Sequence, residues 1–403
     1  MQACGLIVEY NPFHNGHKFH IQASRQESGA DCIIAVMSGP FLQRGEPAII
    51  DKFHRTKAAL AAGVDIVVEL PYLYAVQSSD LFAHGAVQTL HELGVSSICF
   101  GSESGDISHF TRGYDLLNQY QTSYQTMLQT KLDQGLAFPE ASRLAYETIG
   151  LTTGGIDLAK PNNILGFSYV KAIFNNHLSI EPLTISRLNS DYHDEHMTGS
   201  VASATSIRHE LLKKGHISAD AANSLPEETV SQLQTYQAEA TSWHTWENYF
   251  DLVHYRVMTM TEEELAAIYG VDEGLEHRIK KTGNKATSFQ GWIGMIKTKR
   301  YTWTRLQRIF THILTNTRKT DAASVKHSQS VPHVRLLGMT KTGQTYLHNW
   351  KKAMNVPLIS TLARQDNLIA ATDERASHAY YSSLPAARKR AFQHQELEPP
   401  IIL

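Results

Sequence analysis

The sequence predicts an α/β protein: a doubly wound, Rossmann-like parallel sheet in the first half, followed by a mainly helical C-terminal region. Three observations predict this. Short apolar runs alternate with helical stretches from residue 5 to about residue 214. The runs are rich in β-branched residues, and most stop at a Gly, Pro or Ser break. Beyond about residue 215 the pattern turns mainly helical. Continuous apolar strands are covered on both faces, which implies parallel pairing with right-handed crossovers. Ligands in such sheets sit beyond the carboxyl ends of the strands.

The elements follow in order. Gly5–Val8 reads as a strand, broken at Asn11-Pro12, with a helix expected from Lys18 to about Gln26. Residues 31–37 form a second strand ending at Ser38-Gly39-Pro40, and residues 50–62 a helix. Lys52 and Arg55 on that helix face either the ligand cleft or solvent. A third strand spans 64–69 and stops at Pro71; a helix runs from about Ser79 to Leu93; a fourth strand, 95–100, ends at Gly101. Residues 106–150 are mostly helical. Pro161 opens another helix, with Asn162 or Asn163 as its cap or as a reader of an adenine or ribose edge. A fifth strand, 180–187, places Arg187 at its carboxyl end. A helix then runs from Ser203 to about Lys214. Two domains are expected, 1–215 and 216–403. In the second, residues 333–340 and 356–362 read as strands and a helix starts near Gly343.

The 403 residues, 42% apolar and 19% charged, indicate a globular chain with a sizeable core. A net charge of −2 means that nucleic-acid affinity must come from a local patch. Cys4, Cys32 and Cys99 are scattered and odd in number, so buried thiols are expected rather than disulfides. No apolar run approaches a membrane span. The N-terminus has no charged leader, so a cytoplasmic protein is expected, with no membrane or DNA partner.

Two motifs carry chemistry. His14-Asn15-Gly16-His17 follows the first strand. A helix starting there would offer free N–H groups and a dipole to an anion, and two imidazoles add directional donors. His-x-x-His alone is common. Zinc is disfavoured because no compact third and fourth ligand lies nearby, so no metal site is expected. Ser203-Ala-Thr-Ser-Ile-Arg208 opens the helix after the fifth strand and suits phosphate oxygens, though alone it is an ordinary N-cap with a surface arginine. Arg44, in the loop after the second strand, reads equally as a phosphate-reaching group on a mobile loop or as part of a solvated turn.

A His-x-Gly-His turn after strand one, with a Ser-x-Thr-x-Ile-Arg helix start after strand five, resembles the nucleotidyltransferase superfamily. The match is closer to the tRNA(Met) cytidine acetate ligase family. It runs through Gly5–His17, Met37–Pro47, Val68–Pro71, Lys160–Gly166, Tyr192-His193-Asp194, Ser203–Arg208 and Lys299–Arg305. The resemblance implies that acetate and ATP give acetyl-adenylate and pyrophosphate. The acetyl group then passes to N4 of the wobble cytidine of elongator tRNA(Met). It implies an ATP site made of Ile7, Val8, Glu9, Tyr10, Asn11, Pro12, Phe13, His14, Asn15, Gly16, His17, Lys18, Phe19 and His20. Gly101, Asn162, Arg187, Leu188, Ser203 and Thr205 complete it, with His14, His17 and Arg208 as the catalytic groups. The superfamily motif usually carries two adjacent serines; Ala204 takes the second place here. Adenylate formation by an ionised carboxylate needs no general base, only positioning and stabilisation of departing pyrophosphate. Magnesium is expected on the phosphates.

From His277 to Thr320 there is no Asp or Glu, while Lys297, Lys299, Arg300, Arg305 and Arg308 fall in a basic run with Trp292, Tyr301, Trp303 and Phe310 interleaved. An RNA-facing basic surface is expected, with the aromatics more often core. A small-molecule adenylyltransferase would share the N-terminal motifs but leave this window unexplained. A non-catalytic RNA-binding protein would make the histidines structural.

Overall fold

A computed structural model describes residues 1–151, 156–187, 202–326, 328–362 and 367–403. Among the described residues eight strands form one sheet: β1 (Ala3–Val8), β2 (Cys32–Ser38), β3 (Ile66–Leu70), β4 (Ser97–Ser102), β5 (Glu181–Ser186), β6 (Val334–Met339), β7 (Leu358–Ile359) and β8 (Ile401–Ile402). The order is β5-β4-β1-β2-β3-β6-β7, with β8 also on β6. The first five strands are parallel, and β6 runs antiparallel to β3. Chain direction across the sheet reverses between β1 and β4, the switch point where such sheets bind ligands.

The strands form because their side chains bury on both faces. Along β2, Ile34 and Val36 join a core with Val68, Leu90 and Phe167. Ile33, Ala35 and Met37 face the opposite core with Ile21 and Leu60. Helices Asn15–Ser28 and Lys52–Ala61 cover that second face; Ser79–Glu92 and Pro161–Asn175 cover the first. The helix Asn15–Ser28 stops at Gly29, whose φ of 62° places it in the left-handed region that glycine enters without a Cβ penalty. Cys4, Cys32 and Cys99 are buried free thiols, as expected.

The C-terminal region is helical except where it returns to the sheet. The strand expected at 333–340 is β6, and its register on β3 pairs Glu69 with Arg335. The segment expected at 356–362 supplies β7.

Neither cation of the helix Lys52–Ala61 faces solvent, and the solvent alternative is corrected. Lys52 and Arg55 are buried. Lys52 Nζ contacts both Glu69 oxygens at 2.8 Å and Glu396 at 3.0 Å. Arg335 bridges the same carboxylates at 2.9 and 2.7 Å. Arg55 is taken up by the carbonyls of Glu9, Ser38 and Gly39. Buried charges survive only when paired in this way.

Candidate active site

A cavity of about 260 Å³ opens at the carboxyl ends of β1, β4 and β5. It gathers Ile7, Val8, Glu9, Tyr10, Asn11, His14, Gly16, His17, Phe19 and His20 from the first βα unit. Gly101, Asn162, Arg187, Ser203, Thr205 and Arg208 complete it from the far side. Residues as far apart in the chain as Ile7 and Arg208 therefore converge on one crevice.

His14 caps the helix Asn15–Ser28. Its Nδ1 accepts the Gly16 N–H at 3.1 Å, and His17 Nδ1 accepts the His14 N–H at 3.2 Å. An imidazole nitrogen that accepts cannot carry the proton, so both rings are Nε2–H tautomers. The rings stack with centroids 3.8 Å apart. Burial, with Arg187 and Arg208 nearby, pushes the His14 pKa down to about 3. Burial and then the His14 ring hold His17 well below the usual imidazole range. Both rings are therefore neutral donors at pH 7.

Free backbone N–H groups were expected at this helix start, and that is corrected. Asn15 N–H donates to the Ser224 carbonyl at 3.1 Å, Gly16 N–H to His14, and His17 N–H to the His14 carbonyl at 2.8 Å. Capping consumes the donors that a bare helix end would offer. What this end of the sheet can offer an anion is instead the Nε2–H groups and the arginines.

Arg187 follows β5, and its Nη1 donates to Asn162 Oδ1 at 3.1 Å. Asn162 Nδ2 in turn donates to Glu103 at 2.7 Å. Asn163 does not cap its helix; its Oδ1 accepts the N–H groups of Glu103 and Ser104. Lys160 occupies the N-cap position, with no side-chain cap. Gly101 packs closely on Arg187: a Cβ there would lie 3.3 Å from Arg187 Cγ. Arg208 is no surface arginine. Its Nη1 donates to the Asn11 carbonyl at 2.8 Å and its Nη2 approaches Glu46 at 3.4 Å. Ser203 caps its helix by accepting the Ser206 N–H at 3.1 Å. Arg44 also lines the cavity, and its loop is a built turn: Gly45, at φ 76°, packs against the backbone of Gln307 and Arg308.

Pro12, Phe13, Asn15 and Lys18 do not reach the cavity wall. Phe13 is buried against Tyr10, with centroids 4.7 Å apart. Asn15 turns to the carbonyls of Asn223 and Ser224. Lys18 pairs with Glu228 at 3.6 Å. Leu188 and the Tyr192-His193-Asp194 motif lie outside the described residues. Sequence reading missed Phe82, Phe100, Leu165 and Tyr169 in the wall. Asn162, Leu165 and Tyr169 were legible in principle, because their spacing puts them on one helical face.

In the basic window, Lys297 and Lys299 are exposed. Arg300 pairs with Glu273, Arg305 lies 5.0 Å from the Tyr301 ring centroid, and Arg308 donates to the Gln77 carbonyl at 3.0 Å. Acids outside the window thus offset part of its charge: Asp272 also holds Lys319 at 2.7 Å. Trp292, Tyr301 and Phe310 are core. Among the described residues no cluster of three or more His, Cys, Asp or Glu groups could hold a metal, and no helix is long and apolar enough to cross a membrane.

The fold and the paired motifs define a nucleotidyltransferase of the His-x-Gly-His class. Residues 1–396 match a family described as HIGH Nucleotidyl Transferase. The tRNA(Met) cytidine acetate ligase of Oceanobacillus iheyensis is 55% identical over 403 residues, the full length of both chains. The crystal structure of apo Thermotoga maritima TmcAL superposes with a TM-score of 0.91 at 31% identity, covering both chains completely. A second form of that protein, bound with alpha-thio ATP, gives 0.89 at 30% identity over both complete chains. The chain belongs to the tRNA(Met) cytidine acetate ligase family and is a ligase.

Proposed function

We propose that the chain activates acetate with ATP and transfers the acetyl group to N4 of the wobble cytidine of elongator tRNA(Met), giving N4-acetylcytidine. The supporting observation is the convergence of two neutral Nε2–H imidazoles with Arg187 and Arg208 on one cavity, in a chain of this family. An acetate oxygen attacks the α-phosphorus, and the bond from that phosphorus to the bridging oxygen breaks. Pyrophosphate leaves with the electron pair. His14, His17 and Arg208 stabilise that developing charge. Ser203 and Thr205 add polar contacts to phosphate. The wall from Ile7 to His20, with Gly101, Asn162 and Arg187, seats the nucleoside.

No carboxylate is needed as a base, and those near the cleft are engaged. Glu9 accepts the Gln43 N–H at 2.8 Å, while Glu103 holds Asn162 and Asn163. No protein ligand is assigned to magnesium; an ion arriving with ATP would screen phosphate charge. In the second step the cytidine N4 lone pair attacks the acetyl carbonyl. The carbon–oxygen bond to phosphate breaks, AMP leaves, and the N4 proton passes to solvent. Residues 216–403 supply the tRNA-binding region, with Lys297, Lys299, Arg300, Arg305 and Arg308 meeting phosphates. A tRNA substrate implies the cytoplasm.

The test is acetate-dependent exchange between ATP and pyrophosphate, followed by mass spectrometry of tRNA(Met) after incubation with ATP and labelled acetate. Exchange and one added acetyl group on the wobble cytidine are expected. Exchange that ignores acetate would overturn the reading.

A further inference from the structure

A second, larger cavity of about 660 Å³ adjoins the first. Gln43, Arg44, Pro161 and Leu165 line both. The two cavities therefore share part of their wall. The second cavity is within the usual size of a small-molecule site, and three features mark it as built for a ligand.

First, Gln77 in its wall is 2% exposed, yet its Nε2 has no hydrogen-bond partner. The rest of that residue is fixed. Its Oε1 accepts from Tyr269 at 3.1 Å, and its carbonyl accepts from Gln43 Nε2 at 2.7 Å and Arg308 at 3.0 Å. A buried amide donor without an acceptor costs free energy unless a ligand supplies one. Second, Arg305 and Arg308 line the cavity and make no ion pair among the described residues. The acids of the same wall are committed elsewhere, Asp80 to Lys171 and Asp272 to Lys319, each at 2.7 Å. Burial, with Arg305 and Arg44 nearby, pushes the Arg308 pKa down to about 10, so the cluster repels itself and favours an anion. Third, Tyr269 and the half-exposed Phe138 present aromatic surface to the opening.

Resting on the proposed function, we infer that this second cavity receives the acceptor nucleoside. The everted base enters with its polar edge on Gln77 Nε2, and Arg305 and Arg308 hold the phosphate beside it. Unpaired RNA bases are recognised in this way, splayed out, stacked and read on their edges. The shared wall then brings the exocyclic amine to the acyl carbonyl. The nitrogen–carbon bond forms as the carbon–oxygen bond to AMP breaks, and the amine proton leaves to solvent.

The test uses the full chain with ATP, labelled acetate and unmodified tRNA(Met), comparing wild type with Gln77→Met and Phe138→Ala. Exchange between ATP and pyrophosphate should stay within about two-fold of wild type, while kcat/KM for acetyl transfer to tRNA falls roughly ten-fold or more in each variant. In parallel, tRNA carrying 4-thiouridine at the wobble position is irradiated with the wild-type chain. Crosslinks should map to peptides containing Phe138, Gln77 or Tyr269. Unimpaired transfer in both variants, or crosslinks confined to peptides outside this cavity, overturns the inference and leaves acetate activation standing. Absence of exchange in the wild type overturns the underlying reading instead. Should Gln77→Met fail to fold, Phe138→Ala and the crosslink decide.

Discussion

Two charged regions flank the same sheet and are built on opposite rules. At the β3–β6 edge, Lys52, Arg335, Glu69 and Glu396 are almost fully buried, and each touches two opposite charges. The Glu396 carboxyl is held well below the usual range by Lys52 and Arg335, against the effect of its burial. At the β1–β4–β5 end, two imidazoles are kept neutral beside Arg187 and Arg208, and the facing carboxylate Glu46 is 3.4 Å from Arg208. The first region is electrically closed and joins distant parts of the chain. The second sets neutral imidazole N–H donors and cations around a cavity, which suits a polyanion that arrives from outside. Matching of charge, rather than charge itself, separates scaffold from site.

Breaking the closed region should have the largest effect. Lys52→Met leaves Glu69 and Glu396 short of a buried partner, and about 3–5 kcal/mol of stability should be lost in urea unfolding. A loss below about 1 kcal/mol would show that the cluster is not a unit.

Next comes the open region. His17→Asn keeps an acceptor near the position of Nδ1 for the helix cap but removes the Nε2–H donor. Exchange between ATP and pyrophosphate should fall by roughly 10²–10³-fold, with the thermal midpoint close to wild type. His17→Ala should lose both activity and cap, the latter costing about 1 kcal/mol. If His17→Asn exchanges normally, the donor role assigned to His17 is wrong.

Acid titration sharpens the contrast. His14 has a folded pKa of about 3 against 6.5 when unfolded. The unfolded chain therefore binds more protons between these values, and stability from this group falls as pH drops below about 6.5. The slope is about 1.4 kcal/mol per pH unit for this group alone. Urea midpoints at pH 7 and pH 5 should separate in wild type and draw closer in His14→Gln. The smallest effect belongs to the solvent-screened pair Lys18–Glu228, with side chains 40% and 30% exposed. Lys18→Ala should shift stability by less than about 1 kcal/mol.

Much of this fold was legible because burial on both faces writes itself as uninterrupted apolar runs, as in β1 to β4. The placement of His14 and Arg187 at one end of the sheet followed from strand polarity, whereas Arg208 was reached only through the family resemblance. The consumed N–H donors of the helix Asn15–Ser28 were not legible: the acceptor of Asn15, Ser224, is distant and carries no sequence signal, and those of Gly16 and His17 depend on the conformation of His14. Nor was the burial of Lys52 and Arg55, since charged residues read as surface until their partners are known. The wall residues Phe82 and Phe100 looked like core, and a cavity lined by core residues has no pattern of its own.

The antiparallel entry of β6 sets a condition on biosynthesis. Glu69 and its partner Arg335 are separated by 266 residues. During synthesis β3 stays an open, apolar edge until that late strand has left the ribosome. Open edges of this kind recruit strands from neighbouring chains, so nascent copies need shielding for most of translation.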